Sequence, residues 1–333
     1  MKYAKYIFLG IGLLLLAKVL SAVDWTQVSA DLAKIGWGGF AIVIGLHVIT
    51  FLTDVAGWQQ TFTSFSPREP RWTLRLYAVR LAGEAFNYIL PAASIGGEPF
   101  KAALLKTHYR VPYREAAATL LLARTVNIIA LLLFLSVGFV FMFFSEAFSQ
   151  SMKVVAAVGL GGVALGAVQF LAIQWFKLSS WISRKLARTR YGRRLEGAVH
   201  ALEEFDEHMV QFYRSKPLAF LTALTLGFSN WILGTLEVYL VLGFMGHPIS
   251  FADAWIIESL AQLMRASAFF IPAAVGVQEG TFLVACRAVT GVTSTGITMS
   301  VVRRCRELVW VTLGLAIYWS YSLRRPAEPA AAP

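Results

Sequence analysis

The chain is 333 residues long, 57% apolar and only 15% charged, against roughly 25% charged residues in ordinary soluble domains. That balance excludes a soluble globule and points to a polytopic membrane protein, because several apolar runs reach the roughly 20 residues needed to cross a hydrocarbon core of about 30 Å. Thirty Lys and Arg against nineteen Asp and Glu give a net charge of +11, which fits loops held at an anionic cytoplasmic surface; charge is the sole feature that would favour nucleic acid, so no nucleic-acid partner is expected.

The first apolar run, Tyr6 to Val23, follows Lys2 and Lys5. It is longer than a signal-peptide core and lacks a good small-x-small cleavage site, so it is read as a retained span with a cytoplasmic N-terminus. A short acidic loop holding Asp24 and Asp31 leads to a second span over 37–58. The basic stretch Arg68, Arg71, Arg75 and Arg80 then returns to the cytoplasm. Between Leu74 and Lys106 the apolar pattern is interrupted by Glu84, Asn87, Pro91, Gly96, Gly97, Glu98, Pro99 and Lys101. Broken backbone at membrane depth is tolerated where it is buried in protein or lines a wet cavity, so the segment 74–106 is expected to be a re-entrant helical hairpin. A long span over 116–144 carries Arg124 and Asn127.

The next span, 153–176, holds Gly162 and Gly166 four apart, a spacing that lets helices approach closely. Seven basic residues between Lys177 and Arg194, followed by Glu196, Glu203, Glu204, Asp206 and Glu207, make 177–216 a cytoplasmic amphipathic segment. A span over 218–245 leaves Asp253 in a short loop, and the broken pattern recurs over 254–290 with Glu258, Gln262, Arg265, Pro272, Gly276, Gln278, Glu279 and Gly280. The last span, 296–323, contains Arg303, Arg304, Arg306 and Glu307, and the tail 326–333 is disordered on composition.

The two broken segments repeat one another. Pro91 to Glu98 reads P-A-A-S-I-G-G-E and Pro272 to Glu279 reads P-A-A-V-G-V-Q-E, each with Glu seven residues after the proline. Lys106 and Arg287 both stand fifteen residues after it, and Arg124 and Arg306 follow at 33 and 34. Each half, 1–150 and 151–325, reads span, span, hairpin, span. Three crossings per half is an odd number, so the halves are inverted and the hairpins meet from opposite sides, the arrangement of secondary transporters. The expected fold is therefore all-α and integral to the membrane, with six transmembrane helices plus two re-entrant hairpins in an inverted repeat. Both termini are then cytoplasmic.

Pro91 and Pro272 end helices, Gly96, Gly97 and Gly276 permit reversals, and Glu98 and Glu279 fall at helix starts where negative charge is favoured. Each glutamate can serve as a cap or share the site with a head group. Arg80 and Glu84 can pair on one helical face. Asp54 reads equally as a cap or a cavity residue. Arg124, Arg265, Arg303 and Arg306 lie on apolar segments and each needs a carboxylate, a carbonyl or a phosphate. Arg124 and Arg306 lead as phosphate or Glu partners, with a structural Arg–Glu lattice across the halves as the alternative. Gln278 and Lys101 complete the set around the two motifs. No metalloprotease, P-loop or nucleophile-elbow motif occurs, so neither catalysis nor a metal is expected. Cys286 and Cys305 form no spaced framework and are expected to be packing residues.

Three strings carry a family resemblance: I-L-P-A-A-S-I-G-G-E-P-F-K (Ile89 to Lys101), L-L-A-R-T-V-N (Leu121 to Asn127) and F-I-P-A-A-V-G-V-Q-E-G (Phe270 to Gly280). They resemble the transmembrane flippase region of lysylphosphatidylglycerol synthases, which also occurs in stand-alone flippase-like proteins. I-G-W-G-G-F, L-H and D-V-A-G-W between Ile35 and Trp58, with R-E-L-V-W-V-T-L-G-L from Arg306 to Leu315, are similar to the branch associated with hopanoid biosynthesis. Ala92-Ala93-Ser94 departs from that branch and leaves the cargo open. The resemblance implies movement of phospholipid or hopanoid-type lipid across or out of the bacterial inner membrane, with no cofactor. It also implies that Glu98, Glu279, Arg124 and Arg306 belong to the site. Aminoacyl transfer is not expected, since the synthase members use a separate soluble domain. The rival functions are an integral-membrane lipid-modifying transferase and a non-transporting scaffold that recruits lipid-synthesis enzymes.

Overall fold

In hydrocarbon a helix satisfies every backbone N–H and C=O within its own segment, so apolar runs of this length fold as helices. The structure, a computed structural model, describes residues 24–62, 69–89, 96–175, 212, 215–268, 271 and 274–323. The expected first span, nearly all of the segment 177–216, the tail, Pro91 and Pro272 lie outside the described residues. In chain order the helices are α1 (Trp25–Gln59), α2 (Pro70–Ile89), α3 (Glu98–Tyr109), α4 (Tyr113–Phe144), α5 (Gln150–Trp175), α6 (Pro217–Phe244), α7 (Phe251–Ser267), α8 (Val277–Thr290) and α9 (Thr293–Leu323). No strand occurs among the described residues.

Four of these helices, α1, α4, α5 and α6, are long and apolar enough to cross a membrane. The 31-residue α9 is not among them, and its middle carries Arg303, Arg304, Arg306 and Glu307. Helices α3, α7 and α8, of 12, 17 and 14 residues, are shorter than the roughly 20 residues a crossing requires. The chain breaks between α2 and α3 at a turn through Gly96 and Gly97, and between α7 and α8 where Ala274 (φ 48°) and Gly276 (φ 78°) adopt left-handed backbone.

Two sequence expectations need correction. Residues 25–35 are helical and not a loop: Asp24 caps α1 by accepting from the Thr26 N–H at 3.0 Å. The expected boundary survives as a break at Gly36 (φ 57°, ψ −175°), a conformation open essentially to glycine alone. Asp31, expected in the same loop, is fully buried, accepting from Ser294 Oγ at 2.9 Å and Lys34 Nζ at 3.0 Å. Asp253 likewise lies in the first turn of α7, where its N–H donates to the capping Ser250 Oγ at 3.1 Å.

The helices pack in matched pairs. Helix α2 packs on α9 and α7 on α4; α1 meets α9 as α6 meets α4; α3 lies on α4 as α8 lies on α9; and α1 and α6 pack on each other. Exchanging α1 to α4 with α6 to α9, in order, carries each of these pairings onto another. The two long-range crossings close on glycine. A Cβ at Gly314 of α9 would lie 2.3 Å from the Leu81 carbonyl oxygen of α2, and one at Gly138 of α4 would lie 2.0 Å from Ser259 Oγ of α7. Hydrogen at those positions is what allows the close backbone approach.

Candidate functional site

An unpaired guanidinium in an apolar bundle is costly, and the arginines of α7 and α9 find carboxylates. Arg303 donates through Nη2 to Glu258 Oε2 at 2.8 Å, and its Nε lies 3.6 Å from Glu237 Oε1. Arg306 pairs with the other oxygen of Glu237. Arg304 donates through Nε to Glu279 Oε1 at 2.7 Å and through Nη1 to Glu307 Oε2 at 2.9 Å. Arg265 of α7 reaches Glu307 Oε1 at 3.0 Å and also bonds Gln278 Oε1. Four arginines thus meet four glutamates, Glu237, Glu258, Glu279 and Glu307, and the lattice is neutral by count.

The second cluster sits on α1 and α2. Arg80 pairs with both Asp54 and Glu84, so one guanidinium serves two carboxylates. Asn87 extends the chain: its Nδ2 donates to Glu84 Oε2 at 3.2 Å and its Oδ1 accepts from the Gly97 N–H at 2.7 Å. Glu98 accepts from Lys101 Nζ one turn along α3, at 2.8 Å. The Lys101 stem lies on Gly83, where a Cβ would come within 2.4 Å of it. The α2–α3 pair is further clamped by Phe86 stacked on Phe100, with ring centroids 3.9 Å apart.

The clusters differ in access. Arg303, Glu237 and Glu258 show at most 3% of their side-chain surface. Asp54, Glu84 and Arg80 show 26%, 18% and 16%. Within the neutral lattice only Arg265 and Arg304 emerge, at 32% and 24%. The part-exposed polar side chains are therefore Asp54, Arg80, Glu84 and Glu98 in the first half and Arg265 and Arg304 in the second.

Several site expectations take a different form in the structure. Arg124 makes no hydrogen bond or ion pair among the described residues, whereas Arg306, its counterpart in the repeat, is locked to Glu237; the repeat in sequence is not a repeat in pairing. Glu98 and Glu279 also diverge. Glu98 bonds within its own helix, while Glu279 accepts from the Gly276 N–H at 2.8 Å as a cap and from Arg304 across to α9. Both glutamates start helices as the motif predicts, with Pro99 in the first turn of α3. The ion pairs seen lie within each half instead of spanning the two. Arg80 and Glu84 pair as their spacing implies, and Asp54 is their neighbour and not a cap. Cys286 is buried, but Cys305 is exposed and is not a packing residue.

Glu237 and His47 stand outside the residues selected from sequence. Glu237 is the lone charged residue of α6, and that isolation in an apolar span is itself the signal that could have found it. His47 stands on α1 with its ring centroid 4.6 Å from Phe51 and 5.7 Å from Trp310, a placement that only the packing of α1 on α9 creates.

Residues 6–315 match the family described as the lysylphosphatidylglycerol synthase TM region. A UPF0104 membrane protein of Methanothermobacter thermautotrophicus (strain Delta H) is 25% identical over 300 residues, covering 85% of each chain. No solved structure matches.

Proposed function

Because the chain belongs to the lysylphosphatidylglycerol synthase transmembrane-region family, we propose that it is a lipid translocase that passes a polar head group along the ionic surface between its two broken helix pairs. The observation that carries this reading is the part-exposed Asp54–Arg80–Glu84 cluster inside an apolar bundle. Ionisable groups held at such a place, at a cost, are the usual mark of a transport path. Phospholipid and hopanoid-type lipid are the cargo classes; the acyl or polycyclic body stays in the bilayer while the head group exchanges partners with Asp54, Glu84, Glu98, Arg265 and Arg304.

In this reading the protein is multi-pass in the cytoplasmic membrane, with both termini cytoplasmic. The six spans are those expected from sequence, and α2–α3 and α7–α8 are the arms of re-entrant hairpins over 74–106 and 254–290. The halves 1–150 and 151–325 form an inverted repeat, and the exchange of matched helix pairings supports it. Discontinuous helices in corresponding positions of two halves are where transporters place their sites. The protein acts without a cofactor and without altering its lipid, and enzymes of lipid synthesis are its natural suppliers.

The test is transbilayer movement of labelled phospholipid and hopanoid in liposomes holding the purified protein. Movement by the native protein, lost in the Glu84→Gln, Glu98→Gln double variant that still elutes as folded protein, is the expected result. Absence of movement with folded native protein, or unchanged movement in the variant, overturns the proposal. A chemically altered lipid would make the protein a transferase instead.

A further inference from the structure

Beyond its first turn α4 carries a single charge, Arg124, about 16 Å along the axis from the helix start. Arg124 makes no hydrogen bond, ion pair or ring contact among the described residues. Neither does Asn127, three positions on, a spacing that sets two side chains beside each other on one helical face. Both side chains are part-exposed. By contrast Arg80, Arg265, Arg303, Arg304 and Arg306 each hold a carboxylate. A guanidinium left without one on an apolar span is costly, and such a residue ordinarily serves a ligand.

The repeat shows how the counter-ion is lost. Exchanging α4 with α9 brings Arg124 to the place of Arg306, which Glu237 of α6 neutralises. The offset of 181 residues that carries Pro91 onto Pro272, or of 182 that carries Arg124 onto Arg306, sets Ala56 or Val55 of α1 at the place of Glu237. Neither side chain can hold a cation, and Asp54 close by is taken by Arg80. The position of Arg124 is also specific. Leu120, one turn before it, joins the core cluster that holds Ala102 and Leu105 of α3, and Leu135, three turns after it on the same face, joins that of Trp255 and Ile256 of α7. Arg124 therefore stands on the face of α4 that runs from the first broken helix pair to the second.

We infer that Arg124, with Asn127 beside it, anchors the phosphate of a lipid head group, and that the cargo is a phospholipid and not a phosphate-free hopanoid. The inference rests on the translocase reading for calling the bound lipid cargo; the binding itself does not. A guanidinium offers two N–H groups to two phosphate oxygens at once, in charge-assisted bonds. The Asn127 side-chain amide can add a neutral donor. A phosphodiester brings the one negative charge that Arg124 lacks, while the acyl chains stay in the bilayer. A glutamate at position 55 or 56 would fill that role permanently, as Glu237 does for Arg306, and would compete with the lipid.

The test is thermal stabilisation of the full-length protein in an uncharged detergent, titrated with short-chain phosphatidylglycerol, with diacylglycerol of the same chains and with inorganic phosphate. Phosphatidylglycerol should stabilise the native protein saturably, and diacylglycerol should not. Arg124→Gln should weaken phosphatidylglycerol binding at least about tenfold, the loss of a charge-assisted contact. Arg71→Gln, which removes an exposed arginine at the start of α2, should bind as the native protein does. Without lipid, Arg124→Gln should melt no lower than the native protein, since it removes a cation that no carboxylate holds. Unchanged binding in Arg124→Gln overturns the inference, as does an equal loss in Arg71→Gln, equal stabilisation by diacylglycerol, or inorganic phosphate that binds as tightly as the lipid. An Arg124→Gln protein that melts lower without lipid, or does not fold, reveals a structural partner and overturns it too. Failure of the translocase reading is distinct: native protein that binds phosphatidylglycerol and moves none in liposomes.

Discussion

The α2–α3 pair and the α7–α8 pair are joined through strings that share Pro-Ala-Ala and a Glu seven residues after the proline, yet they hold charge in opposite ways. The second pair, with α9 and α6, closes four arginines onto four glutamates, most of them sealed from solvent. The first leaves Arg80 to serve two carboxylates in a part-exposed cluster, with Glu98 held only by its own helix. A closed neutral lattice has little left to offer a ligand, because every charge that moves strands another in low dielectric. An open cluster with a surplus carboxylate can exchange partners. The second pair braces the bundle, and under the proposed translocase function the first, with the exposed edge at Arg265 and Arg304, is where a head group would bind.

The sharpest break of this contrast is at Glu237. Glu237→Ala strands Arg306, leaves Arg303 with Glu258 alone and should cost about 3–5 kcal/mol, the usual penalty for breaking a buried pair. Recovery of folded protein after detergent extraction should collapse, and a native melting temperature would show that the lattice is not a brace. Next come the helix crossings. Gly314→Leu forces a side chain onto the Leu81 carbonyl and should destabilise by about 1–3 kcal/mol. Gly162→Leu, with nothing within 4 Å of its Cβ position, should change stability by no more than about 0.5 kcal/mol. Equal melting shifts for the two would contradict the crossing. The smallest effects compare the repeated glutamates directly. Glu279→Gln weakens both a cap and the Arg304 pair and should cost about 1–2 kcal/mol, whereas Glu98→Gln loses a part-exposed pair worth less than about 1 kcal/mol. If Glu98→Gln proves the more destabilising, the assignment of framework and working surface is reversed.

Composition and apolar run length alone determined that this is a helical membrane protein, because hydrocarbon leaves the backbone few other ways to satisfy its hydrogen bonds. The positions of both helix breaks were equally legible, since proline and glycine act on their own backbone whatever surrounds them. The ion pair of Arg80 with Glu84 followed from a spacing of four on one helix. Partners further apart did not follow. Arg306 meets Glu237 across 69 positions, and Arg303 meets Glu258 across 45, and no local rule distinguishes these from a pairing of Arg124 with a glutamate. The helical state of residues 25–35 was hidden because Asp31 reads as a loop residue until Ser294 arrives from α9 to bond it. Likewise nothing local places Phe51 against both Arg80 and Trp310. Helix and break are decided by forces acting within a few residues, so the sequence contains them; which charge neutralises which, and which ring meets which, is decided by how the helices pack, and tertiary structure alone supplies that.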